Sequence, residues 1–467
     1  MSLDIVRVAS DLPVSQDELW DWHLRRGALG RLLPPWERVR IVQQDRGVDE
    51  GNRTTVHVGI GPAGVDWVSE HAEPDPPRSF ADFQVEGPFA KWSHRHQFTA
   101  REDGGCEVED RIEYELPLEP IAGLVGGRAI RERVRRGIGY RHRVLRRDFE
   151  RHRNADLAEN LGVAVSGASG MVGTALARVL STGGHRPLAL ARASSTPPNA
   201  VEGSIDWDIG AGTVDSRALD GLAAVVHLAG ESIADGRWTD ERKRAILDSR
   251  VEGTKLLAET LAALDDPPPV LVCASAIGYY GDRAGARIDE TAAPGSGFLS
   301  DVVTAWEDAA QPARDAGIRV VHLRFGMILW PGGGALERLL IPMRAGVGGK
   351  IGSGRQIWSW VSLDDVIGAV LHAIGRDEVR GPVNVTAPGA VSNQEFTSVL
   401  AGVLNRPAVV PAPEFALKVA LGSELAEELL LASADVKPTR LAESGYVFAD
   451  PELEPALRHM LGRYPAS

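Results

Sequence analysis

An apolar segment that ends in three regularly spaced glycines most constrains the fold of this chain. Residues 163–173 read V-A-V-S-G-A-S-G-M-V-G, and an amphipathic run, residues 174–180, follows them. Gly167 permits a tight turn, Gly170 lets backbone N–H groups approach a pyrophosphate, and Gly173 lets the helix pack closely on the strand. Strand, glycines and helix come in the order that places phosphates at a helix N-terminus, so the segment predicts a dinucleotide site. The residues expected to contact the dinucleotide here are Gly167, Ser169, Gly170, Met171, Val172 and Gly173.

Length, composition and charge exclude several classes of protein. The chain has 467 residues, 43% of them hydrophobic and 25% charged, which is typical of a globular protein of about three domains. The net charge of −13 disfavours general binding to nucleic acid. No apolar run reaches the roughly 20 residues that a bilayer-spanning helix needs, and the first residues lack the hydrophobic region of a secretory signal. We therefore expect no nucleic-acid partner and no integral membrane segment.

The two cysteines indicate the cellular compartment. Cys106 and Cys273 lie far apart and in different predicted domains, which argues against a disulfide framework and fits a reducing cytoplasm. Neither has a metal-ligand partner at a useful spacing. We expect a cytoplasmic protein without a metal site.

The N-terminal third has the pattern of an α+β domain, predicted over residues 1–155. Residues 54–60 and 106–114 alternate like strands, whereas residues 129–153 carry apolar side chains at helical spacing. One long amphipathic helix against a curved antiparallel sheet is the simplest arrangement. The other face of this helix is rich in arginine, which we interpret as a solvated basic face; a membrane-surface or acidic-partner site is the alternative. These arginines are Arg131, Arg135, Arg136, Arg143, Arg146, Arg147 and Arg153.

From residue 161 the pattern changes to short apolar runs separated by helical stretches. Nearly all-apolar runs are typical of parallel strands that are buried on both faces. The pattern predicts a Rossmann-type α/β domain, a doubly wound parallel sheet with its ligand crevice at the carboxyl ends of the strands, over residues 161–400. Residues 401–467 are predicted to form a small C-terminal domain. The apolar runs are residues 163–167, 188–191, 225–229, 270–275 and 320–324.

The ends of two predicted strands indicate which dinucleotide binds. After the second strand, Ala191 and Arg192 stand where an NAD site would have an acidic residue for the ribose 2′-hydroxyl. An arginine suits a 2′-phosphate, so NADP(H) is favoured over NAD; the alternative is a surface arginine. Leu228, Ala229 and Gly230 at the exit of the fourth strand let the cofactor lie against the backbone, unless this is an ordinary strand exit.

Taken together, these motifs resemble an extended short-chain dehydrogenase/reductase, and more narrowly its atypical epimerase-like branch with a small C-terminal domain. The resemblance covers residues 162–461 and implies hydride chemistry on a small-molecule substrate at a carbon bearing oxygen. It also admits a homodimer. The broader match is carried by residues 163–173, H-L-A-G at 227–230, S-A-I-G-Y-Y-G-D at 275–282 and Q-I-W-S-W-V-S-L-D-D-V at 356–366. The narrower match is carried by G-E-S-I at 230–233, W-E-D-A-A at 306–310, G-G-G-A-L at 332–336 and V-K-P-T-R-L at 436–441.

The N-terminal part resembles a START-like helix-grip domain of the SRPBCC superfamily. That resemblance implies a deep cavity between sheet and helix that holds a hydrophobic ligand. The motifs that carry it are Pro13 with Trp20, Gly27-Ala28, R-L-x-P-P-W at 31–36 and G-P-F-x-x-W-x-H-x-H at 87–96. Five aromatic residues are candidates either to line the cavity or to form plain core: Trp20, Trp36, Trp67, Phe83 and Trp92.

One departure from the family pattern concerns catalysis. The family places Tyr-x-x-x-Lys on the helix after the S-A-I-G-Y-Y-G strand, where tyrosine is the general acid/base and lysine lowers its pKa and holds the nicotinamide ribose. In that register this chain has Val303 and Glu307, so the standard mechanism does not transfer. Glu307 can still accept hydrogen bonds from ribose hydroxyls. Arg250 can reach a phosphate or pair with Glu307.

The remaining candidates for proton transfer are Ser275, Tyr279 and Tyr280. Ser275 matches the family serine that hydrogen-bonds a substrate carbonyl or hydroxyl, and Tyr280, with an ordinary pKa of about 10, would need a nearby cation. We expect an NADP(H)-binding oxidoreductase or epimerase-like enzyme fused to a helix-grip domain. The loss of the tyrosine and lysine keeps an alternative open, namely a non-catalytic sensor that binds NADP(H).

Overall fold

The structure is a computed structural model that describes residues 3–59, 64–117, 121–195 and 197–464. It divides into two compact units, described separately below. The first comprises residues 1–151 and 178–184, and the second comprises residues 152–177 and 185–467. The three-domain division expected from the sequence stays a prediction.

The first unit is built on a seven-stranded antiparallel sheet with the strand order β1-β7-β6-β5-β4-β3-β2. The predicted strands at 54–60 and 106–114 are β3 and β7; Ile60 lies outside the described residues. The strands are β1 (Asp4–Leu12), β2 (Val39–Gln44), β3 (Arg53–Val58), β4 (Val65–Asp75), β5 (Ser79–Glu86), β6 (Lys91–Ala100) and β7 (Cys106–Glu115).

Three helices complete this unit: α1 (Gln16–Leu24), α2 (Ala28–Leu32) and the long α3 (Ile121–Ala155). α1 begins at a capping box between Ser15 and Glu18. α3 begins before the predicted start at residue 129, because three glycines in its first turns weaken the helical signal of the sequence there.

Side chains from the sheet, α1 and α3 form the core of this unit. One cluster contains Trp22, Phe98 and Leu145, and a second contains Ile112 and Tyr114. On the basic face of α3, Arg131 pairs with Asp4 and Arg133 with Glu37. Part of that positive charge is therefore neutralised within the unit.

The second unit is built on an eight-stranded sheet with the order β11-β10-β9-β8-β12-β13-β15-β19, parallel except for β11. All five predicted apolar runs lie in this sheet, which confirms the doubly wound architecture. The strands of this sheet are β8 (Gly162–Ser166), β9 (Arg186–Ala191), β10 (Gly203–Asp208), β11 (Thr213–Val214), β12 (Ala224–His227), β13 (Val270–Ala276), β15 (Arg319–Phe325) and β19 (Gly381–Val385). Three two-stranded sheets pair β14 (Arg287–Ile288) with β21 (Asp435–Val436), β16 (Met327–Trp330) with β18 (Trp360–Ser362), and β17 (Ile357–Trp358) with β20 (Val391–Ser392).

Helices follow most strands of this sheet. They are α4 (Met171–Thr182), α5 (Asp240–Ala262), α6 (Phe298–Asp308), α7 (Gln311–Asp315), α8 (Gly334–Arg344), α9 (Leu363–Gly375), α10 (Asn393–Leu404), α11 (Glu414–Leu421), α12 (Ser423–Leu425), α13 (Thr439–Glu443) and α14 (Leu453–Met460). Short 3₁₀ segments occupy Ser216–Ala218 and Ile277–Tyr280, and a π-helical segment occupies Ala426–Leu431. Among the helices of the described ranges, none combines the length and the apolar character needed to cross a bilayer.

The C-terminal segment is held to α9 by one buried carboxylate. Asp365 accepts hydrogen bonds from the Tyr446 hydroxyl (3.0 Å), the Ala449 N–H (2.8 Å) and the Asp450 N–H (3.0 Å). Burial and the neighbouring Asp450 raise the pKa of Asp365 to about 6. The late family motifs therefore serve packing within this unit.

Candidate functional site

The glycine-rich turn between β8 and α4 has the backbone geometry that its sequence predicts. Gly167 has a φ of +66°, a conformation that favours glycine. A side chain at Gly173 would collide with the backbone of Gly167 and Ala168. The Gly170 N–H donates to the Gly167 carbonyl at 2.9 Å, and α4 begins at Met171. The first turn of a helix therefore follows the tight turn directly, as a phosphate site requires.

Three strand ends come together around this turn. β9, β8 and β12 are neighbours in the sheet and run parallel. Their carboxyl ends lead into Ala191-Arg192, into the turn at residues 167–173, and into Leu228-Ala229-Gly230. The structure thus brings these stretches to one edge of the sheet, where ligands of doubly wound folds bind.

Ser166 and His227 tie two of these strand ends together. The Ser166 hydroxyl donates to Nδ1 of His227 (2.7 Å) and accepts the N–H groups of Leu228 (3.0 Å) and Ala229 (3.2 Å). Burial, and after it the charge of Arg250, lowers the pKa of His227 to about 4. The ring is therefore neutral near pH 7 and serves as the acceptor that this arrangement needs.

Arg192 lies just beyond β9 with its side chain exposed. An acidic residue stands nearby on the next strand, since Asp206 of β10 pairs in register with Ala191. Its carboxylate accepts the Ala193 N–H at 3.0 Å, so it fixes the loop in which Arg192 stands. The sequence analysis missed Asp206 because β10 was not predicted.

Arg250 lies on α5 against the exit of β12. A Cβ atom at Gly230 would lie 3.3 Å from the guanidinium carbon of Arg250. Nη1 donates to the Ile246 carbonyl at 3.0 Å, and the guanidinium lies 5.0 Å from the ring centroid of Trp306. Burial lowers the pKa of Arg250 to about 10. The expected alternative of a pair between Arg250 and Glu307 is not what the structure has, because Glu307 pairs with another arginine.

That partner is Arg324 at the end of β15. Nε of Arg324 lies 2.8 Å from Oε1 of Glu307, and Nη2 lies 2.7 Å from Oε2. The Ser275 hydroxyl donates to the same Oε1 at 2.6 Å. Burial alone would raise the pKa of Glu307, but the hydrogen bonds and the charges of Arg324 and His322 lower it overall. Glu307 is therefore an ionised carboxylate in a two-pronged pair.

Tyr280 completes this buried network. Its hydroxyl accepts from Nη1 of Arg324 (2.9 Å) and donates to Oδ1 of Asn384 (2.8 Å). The ring is fully buried, and burial raises the pKa of Tyr280 despite the adjacent guanidinium. Arg324 is thus the cation that the sequence analysis required but did not name. Its neighbour Tyr279 is only partly buried, with Arg324 3.5 Å from its ring centroid.

Two further features of this unit were not predicted from the sequence, namely the position of Arg324 and the contact of Gly333 and Gly334 with Met171. Arg324 lies near the end of β15, inside the predicted apolar run at residues 320–324, where a charged residue is the signal that could have identified it. Gly333 and Gly334 of the family motif lie against Met171, the first residue of α4, since their Cβ atoms would lie 3.0 Å and 3.7 Å from its side chain. This loop therefore contacts the N-terminus of the helix that follows the phosphate turn.

The five aromatic candidates of the first unit fall into four groups. Trp20 is core and packs edge-on to Phe80. Trp36 packs on α3, whereas Trp67 and Trp92 pack against each other with ring centroids 4.8 Å apart. Phe83 is 37% exposed, so the expectation that it lies inside is wrong: it alternates with Asp82 along β5 and falls on the other face of the sheet.

The fold and this site define a Rossmann-type NAD(P)-binding protein of the short-chain dehydrogenase/reductase kind. Residues 163–386 match the model of the NAD dependent epimerase/dehydratase family. An epimerase family protein of Mycobacterium bovis is 38% identical over 289 residues, which cover 62% of this chain and 94% of that protein. The chain belongs to the NAD-dependent epimerase/dehydratase family.

Matches to other models and to solved structures extend over the rest of the chain. Residues 12–136 match the model "Polyketide cyclase / dehydrase and lipid transport", and residues 412–460 match a domain of unknown function, DUF1731. A nucleoside-diphosphate sugar epimerase from Corynebacterium glutamicum aligns with a TM-score of 0.79 at 30% identity, covering 98% of this chain and 90% of that one. The human epimerase family protein SDR39U1, solved with NADPH, aligns with a TM-score of 0.59 at 33% identity, covering 64% and 99%. These matches confirm both family resemblances.

Proposed function

We propose that this chain is an NADP(H)-dependent oxidoreductase or epimerase-like enzyme that acts on a small molecule. The observation that carries the proposal is the glycine turn at residues 167–173. The helix α4 begins in this turn, at the carboxyl end of β8 and beside the ends of its neighbours β9 and β12. The NADPH in the related human structure supports the choice of cofactor.

The residues present fit such a dinucleotide. The helix N-terminus at 169–173 would hold the pyrophosphate, Ala191 and Arg192 would hold the adenosine ribose with its 2′-phosphate, and residues 228–230 would form the floor. Arg250, whose side chain lies against Gly230, would support this strand exit. Bound NADP(H) would supply hydride transfer to or from a carbon that bears oxygen.

Ser275 is the residue that we assign to the reacting oxygen of the substrate. Glu307 stays ionised because Arg324 pairs with it, and it holds the Ser275 hydroxyl by a short hydrogen bond of 2.6 Å. A carboxylate offers about four acceptor sites, and the three described hydrogen bonds leave one for a ribose hydroxyl. Tyr280 is buried with both of its hydrogen-bonding roles filled, so we assign it to positioning Arg324 rather than to moving a proton.

A non-catalytic sensor is the second candidate. It is favoured by Val303 and Glu307 at the positions where the family has its tyrosine and lysine, since valine cannot move a proton. In this case bound NADP(H) reports the redox state, and a ligand of the N-terminal unit carries the signal.

Fluorescence of bound NADPH separates the two candidates. The purified full chain is loaded with NADPH and challenged with a broad panel of carbonyl compounds, including nucleotide sugars with a keto group. An enzyme loses the fluorescence with at least one compound, and Ser275→Ala loses that turnover while Ser398→Ala, at an exposed serine, keeps it. Tight NADPH binding with no turnover across the panel favours the sensor, and no NADPH binding overturns both.

We also propose a cellular location, a ligand for the N-terminal unit and an assembly state. Both cysteines are free and buried, which supports the cytoplasm as its location. We propose a hydrophobic ligand for the N-terminal unit and a homodimer as the assembly. Native mass spectrometry of the purified protein tests the ligand and the subunit number in one measurement.

A further inference from the structure

Two histidines of the motif W-x-H-x-H lie on the inner face of the sheet in the first unit. His94 and His96 are two residues apart on β6, so both rings project to the same face. The strand register sets Asp82 of β5 opposite His94 and Asp110 of β7 opposite His96. The alternation of side chains along β6 and the register of β6 with its two neighbouring strands therefore bring two imidazoles and two carboxylates close together.

Asp110 fixes how the two rings are turned. Its Oδ1 lies 2.7 Å from Nε2 of His94 and 2.7 Å from Nδ1 of His96. Its Oδ2 lies 2.6 Å from Nε2 of His142 on α3, whose Nδ1 is 2.9 Å from the Ser10 hydroxyl. Each of the two histidine rings on β6 thus uses one of its nitrogens to contact Asp110. A ring that donates N–H to a carboxylate leaves a lone pair on its other nitrogen.

Those other nitrogens face Asp82. Nδ1 of His94 lies 3.3 Å from Oδ2 of Asp82, and Nε2 of His96 lies 3.7 Å from it. One ligand atom from each of the three residues lies within 4.8 Å of the others. Ligands about 2.1 Å from a common ion are about 3.0–3.5 Å apart, so the three atoms need to move only slightly to share one.

We propose that Asp82, His94 and His96 bind a divalent transition-metal ion of the zinc type, with Asp110 as the carboxylate that orients both histidines. Imidazole nitrogens favour zinc and its first-row neighbours, whereas calcium and magnesium prefer oxygen ligands. A carboxylate behind each metal-binding histidine is the usual support of such sites. The proposal departs from the expectation that the chain has no metal site, and it is independent of the function proposed for the second unit.

Three protein ligands leave a coordination position open, as in sites where a metal acts on a bound molecule. The surroundings are dry and aromatic. His94, His96 and Asp110 are 3%, 6% and 3% exposed, and the ring of Phe80 stacks on His96 with centroids 4.2 Å apart. An ion there would take an oxygen donor, either water or the carbonyl or carboxylate of a ligand of this unit, as its fourth partner.

The competing explanation is a plain network of histidine–carboxylate ion pairs. The two make different predictions for the full chain after treatment with a chelator, its fold being checked by circular dichroism. We expect the chain to take up one equivalent of Zn²⁺ by calorimetry, and Co²⁺ to give the visible absorption of an ion with nitrogen ligands. A plain network takes up neither ion.

Variants locate the ion. Asp82→Asn keeps the shape but weakens a ligand, and His96→Gln removes one; each should lower Zn²⁺ affinity more than 100-fold. Asp110→Asn should lower it about 10- to 100-fold, the usual effect of a supporting carboxylate. The matched control is His57→Gln, which breaks another histidine–aspartate pair of the same sheet, His57 with Asp66, and should leave the affinity unchanged.

Two results would overturn the proposal. One is a folded, metal-free wild type that binds neither Zn²⁺ nor Co²⁺ stoichiometrically. The other is binding of equal strength in wild type, Asp82→Asn and His96→Gln, which means an adventitious ion elsewhere. If one of these variants does not fold, the other variant and the Co²⁺ spectrum of the wild type still decide.

Discussion

Glu307 lies at the helix position where the family resemblance implies a lysine. A lysine needs an acceptor, whereas a carboxylate needs a donor, and Arg324 on β15 supplies two N–H groups. The pair is nearly dry, since the side chains are 11% and 3% exposed. The negative charge of Glu307 is therefore balanced by an arginine on β15, and the site keeps an ionised group near Ser275.

Glu307→Gln tests that balance. The substitution leaves the Arg324 guanidinium buried without a counter-charge, so we expect the free energy of unfolding to fall by about 3 kcal/mol. Chemical denaturation at pH 7 measures it. Asp308→Asn, at an exposed position on the same helix, should change stability little, and Glu307→Gln combined with Arg324→Gln should cost less than the two single losses together. Additive losses would show that the pair contributes nothing of its own.

We expect Arg192 to determine the choice between NADPH and NADH. Its side chain is exposed beside the predicted ribose site, and a guanidinium bound to a 2′-phosphate is a charge-assisted contact. Arg192→Ala should weaken NADPH binding roughly 10-fold and leave NADH binding unchanged. Fluorescence titration of both cofactors measures this, with Arg217→Ala as the exposed-arginine control. Equal affinities of the wild type for both cofactors would refute the assignment.

At the scale of elements, one hydroxyl and one imidazole hold the ends of β8 and β12 beside the phosphate turn. The two lone pairs of the Ser166 hydroxyl accept the N–H groups of Leu228 and Ala229, and its proton goes to Nδ1 of His227. Protonation of His227 removes that acceptor. The alignment of two strand ends therefore depends on a neutral histidine.

His227→Asn tests this dependence through pH. The folded-state pKa of His227 is about 4, below the unfolded value of about 6.5, so its neutral form contributes stability that is present above pH 6.5 and is lost as the pH falls towards 4. The wild type should lose about 2 kcal/mol from this group between pH 7 and pH 5. Asparagine keeps an acceptor but does not titrate, so the variant should lose that much less. Denaturation curves at both pH values provide the comparison, and an unchanged loss would contradict the prediction.

The elements also show which information the sequence carries. β8, β12 and β13 were predictable because strands buried on both faces are continuous apolar runs. β10 was not, since its sequence G-S-I-D-W-D alternates and contains two acidic residues. The pairing of Glu307 with Arg324 was unpredictable for another reason. Its partners lie on α6 and β15, and no local period relates two residues that tertiary packing brings together.

The cluster around Asp110 was predictable from the sequence only in part. The spacing of His94 and His96 places both on one face once a strand is assumed. The register that adds Asp82 and Asp110 depends on which strands pair and where, and turn geometry and packing set that register. Motif matching therefore found the histidines but not their carboxylates.

At the scale of the molecule, each unit has a sheet and a core of its own. The first unit contains all seven strands of its sheet, between residues 4 and 115, and the helix α3 as far as Arg151. A buried cluster of charged residues lies near the end of α3. Asp148 is fully buried, and it pairs with Arg31 at 2.9 Å and with Arg151 at 2.6 Å.

We expect residues 1–155 to fold alone, and two lengths of fragment test this. The fragment 1–155 keeps the whole group around Asp148 and should unfold in one cooperative thermal transition. The fragment 1–147 lacks Asp148 and Arg151, so Arg31 stays buried without its carboxylate. Loss of one partner of a buried pair costs about 3–5 kcal/mol, a large share of the stability of a small domain, so the shorter fragment should melt far lower or not fold. Calorimetry of both provides the measurement. If 1–155 has no cooperative transition, this unit does not fold independently; if both fragments melt alike, Asp148 does not make the expected contribution.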